Sequence, residues 1–171
     1  YQENAGLSRE EYNARIQRIQ DAMAENDLDV LLSYGDEGQY MNLYYLTRYW
    51  PCFEVGGAMI GRTGKPLVLI GGEAIEFGAM TPFGMESVRP CSDFGHRSGG
   101  VRGWLGVTFY DLRELLEEVS NGKPIHRIGL PDLSIFPYPL YKRLQAACPG
   151  AELVDCSEMM AQIRMRKTSA E

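Results

Sequence analysis

The sequence predicts an α/β fold, a mixed sheet that contains one antiparallel hairpin and carries helices on both faces as three layers. Three observations lead there. Helical and strand-like segments alternate along the chain. Two apolar runs, 55–60 and 67–70, are joined by Gly61-Arg-Thr-Gly-Lys-Pro66, whose glycines and proline form turns. With 171 residues, 44% of them hydrophobic, the chain can bury a sizeable core without metals or disulfides.

Residues 8–26 open with Ser8 and Glu11 in a capping-box pattern. Tyr12, Ile16, Ile19 and Met23 then recur on one helical face up to Asn26. Leu28, Val30, Leu31 and Leu32 form a short apolar run of the kind a strand shows when both its faces are covered. Residues 39–53 are crowded with aromatics (Tyr40, Tyr44, Tyr45, Tyr49, Trp50, Phe53) and interrupted by Pro51, which fits a short helical turn followed by a loop. After the hairpin come a brief helix over 73–80 and a modest strand over 86–90. The stretch 93–106 is irregular, with five glycines around His96, Arg97, Arg102 and Trp104.

Thr108 can cap the next helix, in which Leu112, Leu115, Leu116 and Val119 repeat at i, i+3, i+4 and i+7 before Asn121-Gly122 ends it. Residues 127–130 are strand-like, and 137–147 form a helix with Leu140 and Leu144 facing inward. Residues 152–155 form a last strand, and a further helix begins at Ser157. No internal repeat or low-complexity tract is present. Residues 158–171 look like an interdomain connection that stops in mid-phrase.

Charge and composition exclude several function classes. Seventeen basic against 23 acidic residues leave a formal charge of −6, unsuited to nucleic acid or an anionic membrane surface. No apolar run approaches the roughly 20 residues a bilayer span needs, and Tyr1-Gln-Glu-Asn-Ala-Gly6 has no secretory pattern. A soluble, cytoplasmic protein is expected. Cys52, Cys91, Cys148 and Cys156 include no C-x-x-C pair and are expected to be reduced; packing is the expected role of Cys52.

The residues offer little catalytic chemistry. His96 and His126 lack metal-ligand spacing, and a structural or solvent-exposed place suits both. Asp36-Glu37 is explained by a solvated turn as well as by a metal. Neither a G-x-S-x-G elbow nor a phosphate-binding glycine loop occurs. The aromatic segment is the one constellation with functional promise, because tyrosine and tryptophan offer rigid apolar area with a polar tip. Within it, Tyr44, Tyr45 and Leu46 read as packing, whereas Arg48, Tyr49, Trp50 and Phe53 fit a binding loop or packing about equally.

The ending Arg164-Met-Arg-Lys167-Thr168-Ser-Ala-Glu171 fits an R-x-x-K-S/T-x-x-E phrase, and Asn42-Leu-Tyr-Tyr-Leu-Thr47 an N-x-x-Y-L-T/S motif. Ile128-Gly129-Leu130 and Ala151-Glu-Leu-Val-Asp155 follow in order with the opening helix and Leu28-Asp-Val-Leu-Leu32 before them. Together these resemble the N-terminal domain of the creatinase, prolidase and aminopeptidase P family. Arg48 departs from the pattern, standing where many members have glycine.

The resemblance implies a ribonuclease-H-like layout, with residues 1–6 as a tail, 7–160 as the domain and 161–171 as the start of a linker to a missing C-terminal catalytic domain. It implies a non-catalytic part of a Xaa-Pro dipeptidase or aminopeptidase. Two divalent metals (manganese, zinc or cobalt) would belong to that missing domain and none to this chain. A homodimer acting on proline-containing peptides is implied, with Arg48, Tyr49, Trp50, Phe53, Glu54 and His96 as residues that contact substrate in the partner subunit's pocket. Two alternatives stay open: a protein-binding module of a catalytically inactive member, and a domain of a creatinase-type amidinohydrolase.

Overall fold

The computed structural model describes residues 7–52, 54–95 and 106–168. Residues 1–6, the expected tail, and the loop residues Phe53, His96, Arg97, Arg102 and Trp104 lie outside them.

Ser8 caps the first helix, α1 (Arg9–Glu25), by accepting the amide of Glu11 at 3.2 Å. The helix closes at Asn26, and Asp27, in the left-handed region at φ 55°, turns the chain into β1 (Val30–Asp36). Then follow α2 (Met41–Thr47), the hairpin strands β2 (Val55–Gly61) and β3 (Leu67–Ile70), the short α3 (Ile75–Ala79) and β4 (Val88–Pro90). The second half comprises α4 (Leu112–Ser120), β5 (Arg127–Leu130), α5 (Tyr138–Ala147), β6 (Glu152–Asp155) and α6 (Ser157–Met165). This last helix runs across residue 160, where the sequence suggests that the domain ends.

The six strands form one sheet in the order β4-β3-β2-β1-β5-β6. β2 is antiparallel to both of its neighbours, while β3–β4, β1–β5 and β5–β6 pair in parallel. The sheet is therefore mixed as predicted, but with two antiparallel pairings where the sequence suggested one. The second arises because α2 and its loop return the chain to the end of the sheet at which β1 finished, so β2 must run back alongside it.

Alternation along the buried β1 builds two cores. Leu31 faces a cluster with Ile16, Ile19 and Met23 of α1, Leu43 and Leu46 of α2, and Met160 of α6. Val30, Leu32 and Tyr34 face the other cluster, with Leu112, Leu115, Leu116 and Val119 of α4 and Leu140 and Leu144 of α5. This is the three-layer arrangement. Among the described residues no helix is long and apolar enough to cross a membrane.

The α4 stripe is buried as its periodicity predicts, but the cap is different. Asp111, not Thr108, starts the helix: its carboxylate accepts the Glu114 amide at 2.9 Å while the Glu114 carboxylate accepts the Asp111 amide at 2.8 Å. A carboxylate paired with Glu three residues on satisfies two end donors, which a lone threonine hydroxyl does not. Leu116→Ala should lower stability by about 3 kcal/mol as a large-to-small core change, and exposed Glu117→Ala should leave it nearly unchanged. Urea midpoints of the two variants check this; equal midpoints would mean that the helix is rotated.

Candidate functional site

The site begins where β1 ends. Asp36 Oδ1 accepts the amides of Gly38 and Gln39 at 2.9 and 2.7 Å, so the acidic pair Asp36-Glu37 forms a turn that delivers the chain into α2. Leu43, Tyr45 and Leu46 of α2 point into the core. At its other end the Thr47 hydroxyl donates to the Leu43 carbonyl at 2.7 Å and accepts the Tyr49 amide at 3.1 Å.

Arg48 is the C-cap of α2 and stands in the left-handed conformation, φ 61°. An L-residue pays about 1 kcal/mol or more in this conformation, and glycine little. The Arg48 guanidinium lies 5.5 Å from the centre of the Tyr44 ring. Tyr44 meets Tyr40 edge-on with centroids 6.0 Å apart, and Tyr40 meets Trp50 at 5.7 Å.

Arg48, Tyr44, Tyr40 and Trp50 thus form a continuous shelf of rings with a cation at one end. Trp50 is 51% exposed, and Arg48, Tyr40 and Tyr44 are half-buried. The shelf offers apolar area for a flat or cyclic group and a positive charge for an anionic one.

Tyr49 points the other way. It is 2% exposed, and its hydroxyl donates to the Glu54 carboxylate. Burial, and then the Glu54 carboxylate, push the phenol far above its ordinary value, so it remains a neutral donor. Gly56 makes room for it, since a Cβ there would lie 2.7 Å from the Tyr49 ring. Of the six candidates, Arg48 and Trp50 share the open shelf, while Tyr49 and Glu54 brace the loop beneath it. Phe53 and His96 lie outside the described residues. Tyr40 and Tyr44 complete the shelf although sequence alone assigned them no binding role. Cys52 is exposed rather than packed.

A second polar cluster lies at the N-terminal end of α2. Asp132 lies two residues beyond the end of β5 and is half-buried. Its carboxylate accepts the Ser33 hydroxyl at 2.6 Å and the Asn42 amide at 2.8 Å. The Asn42 side-chain oxygen in turn accepts from the Arg164 guanidinium at 2.9 Å. Desolvation raises the Asp132 pKa above the ordinary aspartate value, opposed by hydrogen bonds from Ser33, Asn42 and the Tyr34 amide and by the charge of Arg164.

Sequence reasoning missed this cluster. Asn42 and Arg164 stood in recognisable motifs but had no role, and Ser33 and Asp132 were passed over. The available signal was a carboxylate two residues past a buried parallel strand, a position at which open α/β sheets gather polar groups.

Among the described residues no group of three or more His, Cys, Asp or Glu side chains could hold a metal ion. His126 is exposed on the way into β5. Cys91 and Cys156 are buried, and loss of hydration pushes both thiols up to about 12, so neither is a ready nucleophile.

Comparison with known proteins agrees with the architecture. The Creatinase/Prolidase N-terminal domain matches residues 15–166. The dipeptidase PepE from Mycobacterium ulcerans superposes with a TM-score of 0.63 at 18% identity, over 97% of this chain and 40% of that one. The aminopeptidase P (Xaa-Pro aminopeptidase) structure from Streptococcus thermophilus gives 0.57 at 21% identity, over 90% of this chain and 98% of that one. The N-terminal domain of the cytoplasmic peptidase PepQ from Mycobacterium tuberculosis gives 0.59 at 16% identity, over 88% and 98%. No curated protein sequence matches the chain. At these identities the structural likeness shows the fold.

Proposed function

The chain belongs to the creatinase/prolidase N-terminal domain family, and on that premise we propose that it is the non-catalytic N-terminal part of a cytoplasmic Xaa-Pro dipeptidase- or aminopeptidase-like metallohydrolase. In this reading the bond-breaking machinery, with two divalent metals such as manganese, zinc or cobalt, belongs to a C-terminal domain. The present chain contributes dimer contacts and one wall of the partner subunit's substrate pocket. Residues from about 161 onward lead toward that domain.

The observation that carries this reading is the shelf that runs from exposed Trp50 through half-buried Tyr40 and Tyr44 to Arg48. A proline ring is flat, apolar and short of hydrogen-bond donors, which suits packing on aromatic faces. A short peptide also ends in a carboxylate that a guanidinium can bind.

The test uses the enzyme that contains this chain. Arg48→Ala should raise KM for short substrates with a free carboxylate and leave kcat nearly unchanged. A lost charge-assisted hydrogen bond of about 1.5 to 3 kcal/mol corresponds to roughly 10- to 150-fold. Trp50→Ala should weaken charged and amidated substrates alike, because it removes apolar wall rather than charge. Mixing Arg48→Ala subunits with subunits inactivated at their own metal ligands leaves one active pocket per mixed dimer, served by the wild-type loop of its neighbour. Wild-type KM in that pocket supports the reading; KM as impaired as in the Arg48→Ala homodimer places the loop in its own subunit's pocket or in folding. Unchanged KM for every substrate in both variants, with binding of a protein partner lost in Trp50→Ala, favours a protein-binding module instead.

A further inference from the structure

We propose that Arg164 is a positioning residue: through the side-chain amide of Asn42 it couples the exit of the last helix, α6, to the aromatic shelf at the end of α2. Its relevance to substrate rests on the shelf being a pocket wall; the coupling itself does not.

Asn42 occupies the first turn of α2, and the shelf is built on the same short rod. Tyr40 precedes the helix, Tyr44 lies on it, and Arg48 ends it. A helix of seven residues is too short to be stable by itself, so its orientation is set by what holds it. Core packing holds its buried face. Its N-terminal end is held by Asn42, which is only 8% exposed and engaged on both sides of its amide. The amide nitrogen donates to Asp132 Oδ1 at 2.8 Å and to the Pro131 carbonyl at 3.3 Å, and the amide oxygen accepts from Arg164 at 2.9 Å.

The chemistry is specific. Asp132 and the Pro131 carbonyl only accept in these contacts and a guanidinium only donates, so the residue between them must present a donor and an acceptor at once. A primary amide does so. Aspartate would set a second carboxylate against Asp132, and an aliphatic residue would strand both neighbours in a buried place.

Arg164 comes 122 residues after Asn42 and lies in the last turn of α6. Earlier in that helix Met160 is buried, and Met159 and Ile163 pack against the same core. Beyond Ile163, the Arg164 bond ties the last turn of α6 to α2. The direction in which the chain leaves the domain and the orientation of the shelf therefore meet at one amide group.

The test uses this 171-residue chain with Trp104→Phe as background, so that Trp50 is the sole tryptophan. Arg164→Met keeps the length of the side chain and removes its charge and donors. It should raise amide exchange by about tenfold both in the last turn of α6 and over residues 48–52, and make Trp50 more accessible to acrylamide. Asn42→Asp should do the same, and Arg164→Lys, which retains the charge and a donating nitrogen without the guanidinium's reach, should fall in between. Arg166→Met, on the cleft that α6 forms with Arg18 and Asp21 of α1, should leave residues 48–52 and Trp50 unchanged.

Faster exchange confined to α6, with residues 48–52 and Trp50 unmoved, would overturn the proposal, as would no change anywhere. Should Arg164→Met fail to fold, Arg164→Lys carries the same two readouts. Because these are read without substrate, the coupling can fail while Arg48→Ala still raises KM, and it can hold where Arg48→Ala does not.

Discussion

Gly61→Ala is expected to cost on the order of 5 kcal/mol and to leave the chain largely unfolded at room temperature. Gly61 is the last residue of β2, paired with Val30 of β1, and a Cβ built on it would lie 2.0 Å from the carbonyl oxygen of Val119. That oxygen belongs to the backbone of α4, so no rotamer change can move it away. Relief requires α4 to lift from the sheet, which separates Leu115, Leu116 and Val119 from their core partners.

Displacement of β2 also has a cost on the other face, where the Gln20 side chain donates to the carbonyls of Gly61 and Gly64 at 3.1 and 3.0 Å and ties α1 to the hairpin. Gly64→Ala provides the contrast. Gly64 has φ 89° and nothing near its missing Cβ, so only backbone strain of about 1 kcal/mol is expected. Circular dichroism and urea titration of the two variants check the pair. A Gly61→Ala protein as stable as Gly64→Ala would mean that α4 does not close on the sheet as described.

Asp132→Ala should be the next most damaging change, at about 3 to 5 kcal/mol, because it removes the acceptor of the Ser33 hydroxyl and of the Tyr34 backbone amide in a buried place and leaves the Asn42 amide with the longer bond to the Pro131 carbonyl at 3.3 Å. Asp132→Asn retains an acceptor for part of that set and should cost clearly less. The carboxylate also makes stability depend on pH in a definite direction. Burial raises its folded pKa above the ordinary aspartate value, so over the interval between the two the native state holds a proton that the unfolded state has released. Below that interval both states are protonated. As pH rises through it the contribution is lost, and Asp132→Asn should remove this component. Urea midpoints of the wild type and Asp132→Asn across the acid range check the sign; a wild-type contribution that grows with pH over the interval would show that the hydrogen bonds outweigh burial.

Sequence alone was enough for the kinds of element and their order. Periodicities of 3.6 and 2 and the Gly/Pro punctuation are local properties, and helices such as α1 and α4 and the β2–β3 hairpin form where they point. The ordered motifs from Asn42 to Arg164 were likewise legible, because they are read along the chain, and the match over residues 15–166 agrees with them. The helix cap that shifted from Thr108 to Asp111 shows the limit of that local code: two residues able to cap stood three positions apart, and the reciprocal bond with Glu114 selected one.

Tertiary structure decided whatever depends on residues distant in sequence. Tyr49 and Trp50 are adjacent aromatics of equal promise in the chain. One is buried against Gly56 and Glu54 and the other stacks on Tyr40, because the left-handed turn at Arg48 sends consecutive side chains to opposite sides of the loop. Asp132, Asn42 and Arg164 are separated by up to 122 positions and have no shared pattern; folding places Asp132 and Arg164 each within hydrogen-bond distance of Asn42. The two antiparallel neighbours of β2 and the backbone contact at Gly61 have the same origin. Short-range periodicity encodes which face of an element is apolar, but not which distant element will cover it, and hydrogen-bond partners are chosen only once that covering is complete.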